Sequence, residues 1–322
     1  MKYQDGKSNS LKRNQYILFV VFIITLGLVG CDSPVAGTDF VPDIGTEIYV
    51  ESLLTNSEHP SIIVKSAESA YTDRIPKILT DEKVEVSIGI SDGGNIPLNY
   101  DFENKVFTTD EFSINSGEEY RLNVDYIDNP EIKSAFSKTS VPLKENFSNL
   151  EFLKNYNAEL TVGFFHYSYD VAVTLRDQIS GNFFLIEPVS RAVIKEGDTR
   201  NYNREYNPYT IDDLYNPFKG VRILNDASSL LVDFTNESER TLSFRISLDG
   251  NAIGFNPNRI QEHVYFNLWS ISEDYYKYLK SGGGSPSQLG TIIEPIIEYS
   301  NIDNGRGIFG GGSMIIDSIA IQ

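Results

Sequence analysis

The strongest constraint on the fold is the alternation of apolar and polar residues in short segments of the chain. Residues 83–90 read KVEVSIGI and place Val84, Val86 and Ile88 on one side of an extended strand. Successive side chains of a strand point to opposite faces, so this pattern predicts a strand with one buried face. Similar runs, bounded by Gly, Asn, Asp and Pro, recur along the sequence, and Tyr and Phe each occur 19 times. We therefore predict a mainly β protein.

The predicted strands form two groups, which indicates two antiparallel β domains. Residues 46–145 contain about seven short strands with regular turn signals, a pattern typical of an immunoglobulin-like or transthyretin-like sandwich. Residues 146–322 are predicted to form a second β domain, either a sandwich or a barrel, with one short helix. Residues 146–156 (NFSNLEFLKNY) form a linker or a short helix in this interpretation.

The predicted helix covers residues 270–280. Ser270 and Glu273 have the spacing of a capping box, and Glu273 and Asp274 suit the positive N-terminal end of a helix dipole. Glycines at 282–284 follow the segment, and glycine commonly ends a helix.

The first 45 residues carry a separate signal. A basic flank precedes an apolar run at residues 17–28, which is shorter than the roughly 20 residues that a membrane-spanning helix needs. The run fits the apolar region of a secretory signal peptide. It leads into Leu28, Val29, Gly30 and Cys31, which resemble the lipobox of bacterial lipoproteins.

Cys31 is the only cysteine of the chain, so it cannot form an internal disulfide. We predict a signal peptide at residues 1–30, lipidation (palmitate) on Cys31 as the first mature residue, and a tether at residues 31–45. The alternative is an ordinary signal peptide or an uncleaved anchor with a chance cysteine. Attachment by two or more acyl chains gives stable membrane anchoring.

Composition and motifs exclude several functions. The formal net charge is −18, which disfavours nucleic acid as a partner. The three histidines (His59, His166 and His263) are isolated, and no Gly-x-Ser-x-Gly elbow or phosphate-binding loop occurs. We predict no catalytic residues, no metal and no cofactor, and hence no enzyme.

Two acidic groups leave alternatives open. Asp212 and Asp213 are an adjacent acid pair that would serve a hydrolase only if the fold separated them suitably. Asp125, Asp128 and Glu131 could ligate calcium, but their spacing fits no EF-hand loop and favours a solvated turn.

Residues 201–215 are rich in Tyr and Asn and lack aliphatic periodicity. Tyr202, Arg204, Tyr206 and Tyr209 are predicted to form a binding loop, because tyrosine and asparagine supply contact area and adaptable hydrogen bonds. A small molecule, a glycan or a peptide would suit it. The alternative is a long loop that packs on its own domain through its tyrosines.

The C-terminal region carries the most specific motif. Glu294-Pro295 precedes Tyr299–Asn301 and the run Ile302–Gly310 (IDNGRGIFG). Asp303, Asn304 and Gly305 predict a tight turn, and the later glycines predict close backbone packing around Ile308 and Phe309. A binding role for this loop is the alternative.

With the lipobox and a Gly-x-x-Tyr-x-Leu-x-Val segment at residues 117–124, this motif resembles a Bacteroidota lipoprotein family, domain of unknown function 4249. The resemblance implies an outer-membrane lipoprotein that acts as an accessory or ligand-capture subunit of a TonB-dependent receptor barrel. A stand-alone surface adhesin or structural envelope lipoprotein is the alternative. The resemblance assigns no functional residues.

Overall fold

The structure is a computed structural model that describes residues 47–67, 77–90, 93–128, 131–156, 158–161, 164–176, 181–196, 199–215, 220–224, 227–237, 240–249, 259–260, 263–282 and 299–320. The predicted signal peptide, the lipobox with Cys31 and the tether lie outside the described residues.

Strands make up most of the described chain, which confirms the mainly β prediction. The first ten strands are β1 (Glu47–Thr55), β2 (Ile63–Ala67), β3 (Lys77–Ile78), β4 (Val84–Ile90), β5 (Asn95–Asp101), β6 (Val106–Thr108), β7 (Glu119–Asp128), β8 (Glu131–Ser140), β9 (Phe147–Asn155) and β10 (Ala158–Thr161). The remaining elements are β11 (Phe164–Leu175), β12 (Phe183–Glu196), β13 (Thr199–Pro208), β14 (Thr210–Tyr215), β15 (Val221–Ile223), β16 (Leu230–Asp233), β17 (Thr241–Asp249), β18 (Arg259–Ile260), β19 (His263–Ile271), α1 (Glu273–Ser281) and β20 (Arg306–Ala320).

These strands form three sheets. The large sheet has the order β15-β16-β12-β19-β20-β1-β2-β3, with β13 and β18 also paired to β12. The N-terminal sheet has the order β6-β5-β4-β7-β8, and the C-terminal sheet has the order β10-β11-β17-β14 with β9 paired to β11. Within the described residues none of these sheets closes on itself, so the sandwich alternative describes the second half better than the barrel.

The two halves of the chain meet in the large sheet through β1 and β20. These strands pair in parallel, from Tyr49 opposite Arg306 to Thr55 opposite Gly312. A parallel pair needs a long connection, and here almost the whole chain lies between the two strands. The end of the chain is therefore built into the sheet that begins it.

Three hydrophobic clusters pack against the large sheet, two of them large and one small, the small one formed by Leu231, Ile271 and Tyr276 beside α1. The N-terminal core lies between β1–β2 and the N-terminal sheet, and it includes Val50, Val86 and Tyr120 together with Phe309 of β20. The C-terminal core lies between β12, β16 and β19 and the C-terminal sheet, and Tyr169 and Phe266 are among its members. The two-domain boundary near residue 145 stays a prediction, since one sheet serves both cores.

Three segments differ from their predictions. Residues 146–156 are neither linker nor helix, because Phe147 to Asn155 form β9, which pairs with β11 across two register shifts. Residues 201–215 are not a loop, since they belong to β13 and β14. The strand β8 was not predicted, because its apolar Ile132 and Phe136 point outward while small residues face the core.

The helix was predicted correctly, but its cap was not. Strand β19 continues to Ile271, so Ser270 is a strand residue and Ser272 is the N-cap, whose hydroxyl accepts a hydrogen bond from the Tyr275 N–H at 3.4 Å. Gly282 ends the helix with a φ of 101°, a left-handed conformation that glycine adopts without steric cost.

Candidate binding cleft

The C-terminal motif is held in place by the side chain of Asn301. Its Nδ2 donates a hydrogen bond to the Phe309 carbonyl at 2.9 Å, and its Oδ1 accepts one from the Phe309 N–H at 3.0 Å. Ile302 and Phe309 are buried in the N-terminal core. The side-chain amide of Asn301 therefore pairs with the backbone of Phe309 in the way that a residue of a neighbouring strand would, and it closes the loop between residues 301 and 309.

Gly307 of the motif and Gly311, which directly follows it, allow a close approach that no other residue would. Gly307 has a φ of 104°, and a Cβ there would overlap the carbonyl oxygen of Val50. A Cβ on Gly311 would overlap the carbonyl oxygen of Ser140. The predicted close packing of the motif is thus present in the structure.

The motif runs along the edge of β8. Asp303 and Phe136 exchange backbone hydrogen bonds at 2.8 and 3.2 Å, and the Ser137 hydroxyl donates to the Asn301 carbonyl at 2.7 Å. These contacts place Asn301 and Asp303 beside the outward face of the N-terminal sheet.

The helix supplies another wall. The carboxylate of Asp274, in the first turn of α1, accepts a short hydrogen bond from the Tyr299 hydroxyl. Burial raises the pKa of Tyr299 well above its ordinary value, and this hydrogen bond and the negative charge of Asp274 raise it further. Tyr299 therefore remains a protonated donor that holds Asp274 in position.

Together these elements enclose a cleft of about 440 Å³, within the 300–1,000 Å³ that is usual for small-molecule sites. The cleft is lined by Arg121, Leu122, Asn123, Phe136, Ser137, Lys138, Asp274, Asn301 and Asp303. Three separate parts of the sequence thus meet here: the β7–β8 hairpin, the first turn of α1 and the C-terminal motif.

The charges of the cleft are incompletely paired. Arg121 and Lys138 lie directly opposite each other on β7 and β8. Arg121 makes one long contact of 3.8 Å with Glu119, and Lys138 has no ion pair within the described part of the chain. Like charges in this position are unfavourable. Phe136, on the same face, leaves 46% of its surface exposed.

A second charged group lies on the outer face of the C-terminal sheet, and it is fully paired. Asp170 and Arg245 are opposite each other on β11 and β17, with the Arg245 Nε 2.8 Å from the Asp170 Oδ1. The hydroxyls of Tyr156 and Tyr215 donate to the same carboxylate at 2.8 and 2.7 Å. Burial raises the pKa of Asp170, but the hydrogen bonds from Arg245, Tyr215 and Tyr156 outweigh burial and hold it below the ordinary value.

Comparison with family models matches residues 38–314 to a domain of unknown function, DUF4249. The chain belongs to the DUF4249 family. This confirms the resemblance to DUF4249, whereas the Bacteroidota lipoprotein origin stays a prediction. No match was found among curated proteins. No helix in the described residues is long and apolar enough to cross a membrane.

The predicted binding loop of this DUF4249 chain requires a correction. Tyr209 is completely buried in the C-terminal core, where its ring lies 6.2 Å from that of Tyr169, so it cannot contact a ligand. The backbones of Tyr202, Arg204 and Tyr206 belong to β13, and their side chains lie outside what the structure describes. For Tyr209 the alternative of packing on its own domain holds.

The two acidic groups that the sequence suggested do not line the cleft. Asp212 and Asp213 are both exposed on the edge strand β14 of the DUF4249 fold. Asp125 accepts a hydrogen bond from Ser134 at 2.5 Å on the neighbouring strand. Among the described residues no group of three or more His, Cys, Asp or Glu is placed to hold a metal ion.

Sequence reasoning did not single out Arg121, Phe136 or Lys138. The only available signal was their spacing on two adjacent strands, and it becomes visible only when the β7–β8 register is known. For the C-terminal motif, the sequence predicted a turn and close packing, but it did not predict that Asn301 and Asp303 line a cleft.

Proposed function

We propose that this protein is a non-enzymatic lipoprotein of the outer membrane, anchored by acyl chains on Cys31, and that it captures a ligand as an accessory subunit of a TonB-dependent receptor. The observation that carries the proposal is the cleft between the β7–β8 hairpin, α1 and the C-terminal motif. A ligand-capture subunit needs a site of this size on a folded body, held near its receptor.

The anchor is supported by the sequence. Leu28, Val29, Gly30 and Cys31 follow an apolar run of signal-peptide length. The segment from residue 31 to residue 45 is long enough to span roughly 50 Å at full extension. The folded body can therefore bind a partner above the membrane surface. The negative net charge of the chain disfavours direct contact with anionic lipid.

Ligand capture is supported by the composition of the cleft. Its lining combines two cations, two carboxylates, amides and a phenyl ring. It lacks a histidine or cysteine that could act as a base or nucleophile. Such a lining can recognise a ligand through charge, hydrogen bonds and an apolar contact.

A pull-down from outer membranes in mild detergent, followed by mass spectrometry, tests this proposal. An affinity tag inserted between residues 283 and 288 avoids β20, which lies inside the large sheet. We expect a large barrel protein to be recovered in near-equal amount. The matched control is Cys31→Ser, which should no longer reach the outer membrane and should not recover the barrel.

Recovery of the tagged protein alone, from membranes that retain it, would contradict the accessory role. It would favour the second candidate, a stand-alone adhesin or structural lipoprotein. One observation favours that candidate: Ile132 and Phe136 are exposed on β8, and Ile127 is exposed opposite Ile132. Deletion of the gene would then alter attachment or envelope integrity and leave nutrient uptake unchanged.

A further inference from the structure

The two cations of the cleft occupy an unfavourable position. Arg121 and Lys138 are a directly opposed cross-strand pair, and side chains in that relation have Cβ atoms roughly 5 Å apart. The side chain of Arg121 is 61% exposed, and Lys138 is also exposed. In a chain with a net charge of −18, acidic partners for such a pair are plentiful in the sequence. None is placed between the two cations in the described residues.

From this arrangement we propose that the cleft binds a small ligand that carries a carboxylate, and that Arg121 and Lys138 bind that carboxylate together. The inference deepens the proposed ligand capture and rests on it. Arginine presents a planar pair of N–H donors that matches a carboxylate, and lysine adds a point charge. A bound carboxylate would remove the repulsion between the two cations.

The two carboxylates that line the cleft restrict the class of ligand. The carboxylate of Asp303 makes no hydrogen bond within the described residues, although its backbone is fixed by the bridge to Phe136. Asp274 already accepts the Tyr299 hydroxyl, and a carboxylate has room for further donors. These acceptors require hydroxyl or ammonium donors on the ligand. A bare anion such as phosphate would be repelled by them.

Phe136 provides the third element of recognition. Its ring is about half exposed and lies opposite Asn123, whose amide also lines the cleft. An apolar ligand face can pack on such a ring. The required chemistry is therefore a carboxylate, adjacent donors and one apolar face, which is shared by acidic sugars and by the C-terminal residues of peptides.

Calorimetric titration of the full chain in mild detergent tests the inference. The probes are galacturonate with galactose as its neutral counterpart, and triglycine with its C-terminal amide. We expect at least one carboxylate probe to bind at least tenfold more tightly than its counterpart without a carboxylate. Galacturonate alone would identify a sugar source, triglycine alone a peptide source, and either result supports the site.

The variant Arg121→Gln/Lys138→Gln should weaken binding of the carboxylate probe at least tenfold. The matched control Lys83→Gln/Lys144→Gln removes the same charge from exposed positions outside the cleft and should bind normally. The cleft variant should not lose thermal stability, because it removes a like-charge pair.

The inference is overturned if the probes without a carboxylate bind as tightly as those with one, if no probe binds with a Kd below about 10 mM, or if both double variants behave alike. Loss of thermal stability together with binding in the cleft variant would assign the pair a structural role and would also overturn it. None of these results affects recovery of a barrel in the pull-down, so the failure of this inference and the failure of the proposed receptor role remain distinguishable.

Discussion

Two cross-strand charged pairs of this protein occupy the same kind of position and have opposite properties. Asp170 and Arg245 face each other on β11 and β17 and carry opposite charges, and Asp170 also accepts hydrogen bonds from two tyrosine hydroxyls. Arg121 and Lys138 face each other on β7 and β8, carry the same charge and line a cleft. The first pair receives hydrogen bonds from neighbouring side chains, and we call it the closed pair. The charges of the second pair are accessible to a ligand, and we call it the open pair.

The difference separates a structural group from a candidate binding group. A buried carboxylate that receives hydrogen bonds from three side chains has little capacity left for a ligand. Two exposed cations without an anion between them gain most from a ligand, because its binding removes a repulsion. The two pairs therefore differ both in the sign of their charges and in the side chains that surround them.

The largest expected loss of stability comes from a change in the C-terminal motif, which forms one wall of the cleft and lies far from Asp170 and Arg245 in the sequence. Gly307→Ala should lower the free energy of unfolding by roughly 3 kcal/mol or more, since the new Cβ meets the Val50 carbonyl at a left-handed φ. Chemical denaturation measures this. The control Gly94→Ala should have little effect, because nothing lies within 4 Å of a Cβ at that position. Equal stability of the two variants would show that the motif does not hold the wall.

The second-largest loss of stability should come from removal of the carboxylate of the closed pair. Asp170→Ala removes the acceptor of Arg245, Tyr156 and Tyr215 and should lower the free energy of unfolding by about 2–3 kcal/mol. The control Asp110→Ala should change it by less than about 0.5 kcal/mol, because that side chain is 96% exposed. A loss as small as that of the control would mean that the pair is not closed.

Titration sharpens the same contrast. The pKa of Asp170 is lowered in the folded state, so its carboxylate contributes stability that is present above the unfolded pKa of about 3.9. This contribution is lost as the pH falls through the lowered folded pKa. The stability difference between the wild type and Asp170→Asn should therefore be constant above about pH 5 and shrink in more acidic solution. A difference that is unchanged down to pH 2 would contradict the assignment.

The smallest effect comes from converting the open pair into a closed one. Lys138→Glu places opposite charges across β7 and β8 and should raise the free energy of unfolding by about 0.5 kcal/mol. It should also abolish binding of carboxylate probes. Lys144→Glu changes the net charge equally at an exposed position outside the cleft and should produce neither effect. Destabilisation by Lys138→Glu would mean that the two cations do not repel each other.

The regular part of the fold could be predicted from the sequence. The alternation in β1, β4 and β7 is visible because one face of each strand is buried, although Tyr49 and Leu53 of β1 place apolar surface on the other face. The signal failed in β8, where Ala135, Ser137 and Thr139 face inward and the larger apolar residues face out. It also failed in β9, where register shifts interrupt the period of two.

The candidate site could not be predicted, because its residues are distant in the sequence. Arg121 and Lys138 become neighbours only through the β7–β8 register, and Asp274 and Asp303 join them through the helix and the C-terminal motif. The parallel pairing of β1 with β20, which fixes that motif, depends on contacts between the two ends of the chain. Local patterns carry no information about such contacts, although the motif itself was recognisable.

A double-mutant cycle on Arg121 and Lys138 is the most direct test of the contrast between the open and the closed pair. Arg121→Gln, Lys138→Gln and the double variant would be compared with the wild type by chemical denaturation, with and without galacturonate or triglycine. We expect unfavourable coupling between the two cations without ligand and favourable coupling with it, because the carboxylate binds both. Favourable coupling in the absence of ligand, or coupling that the ligand leaves unchanged, would contradict the account.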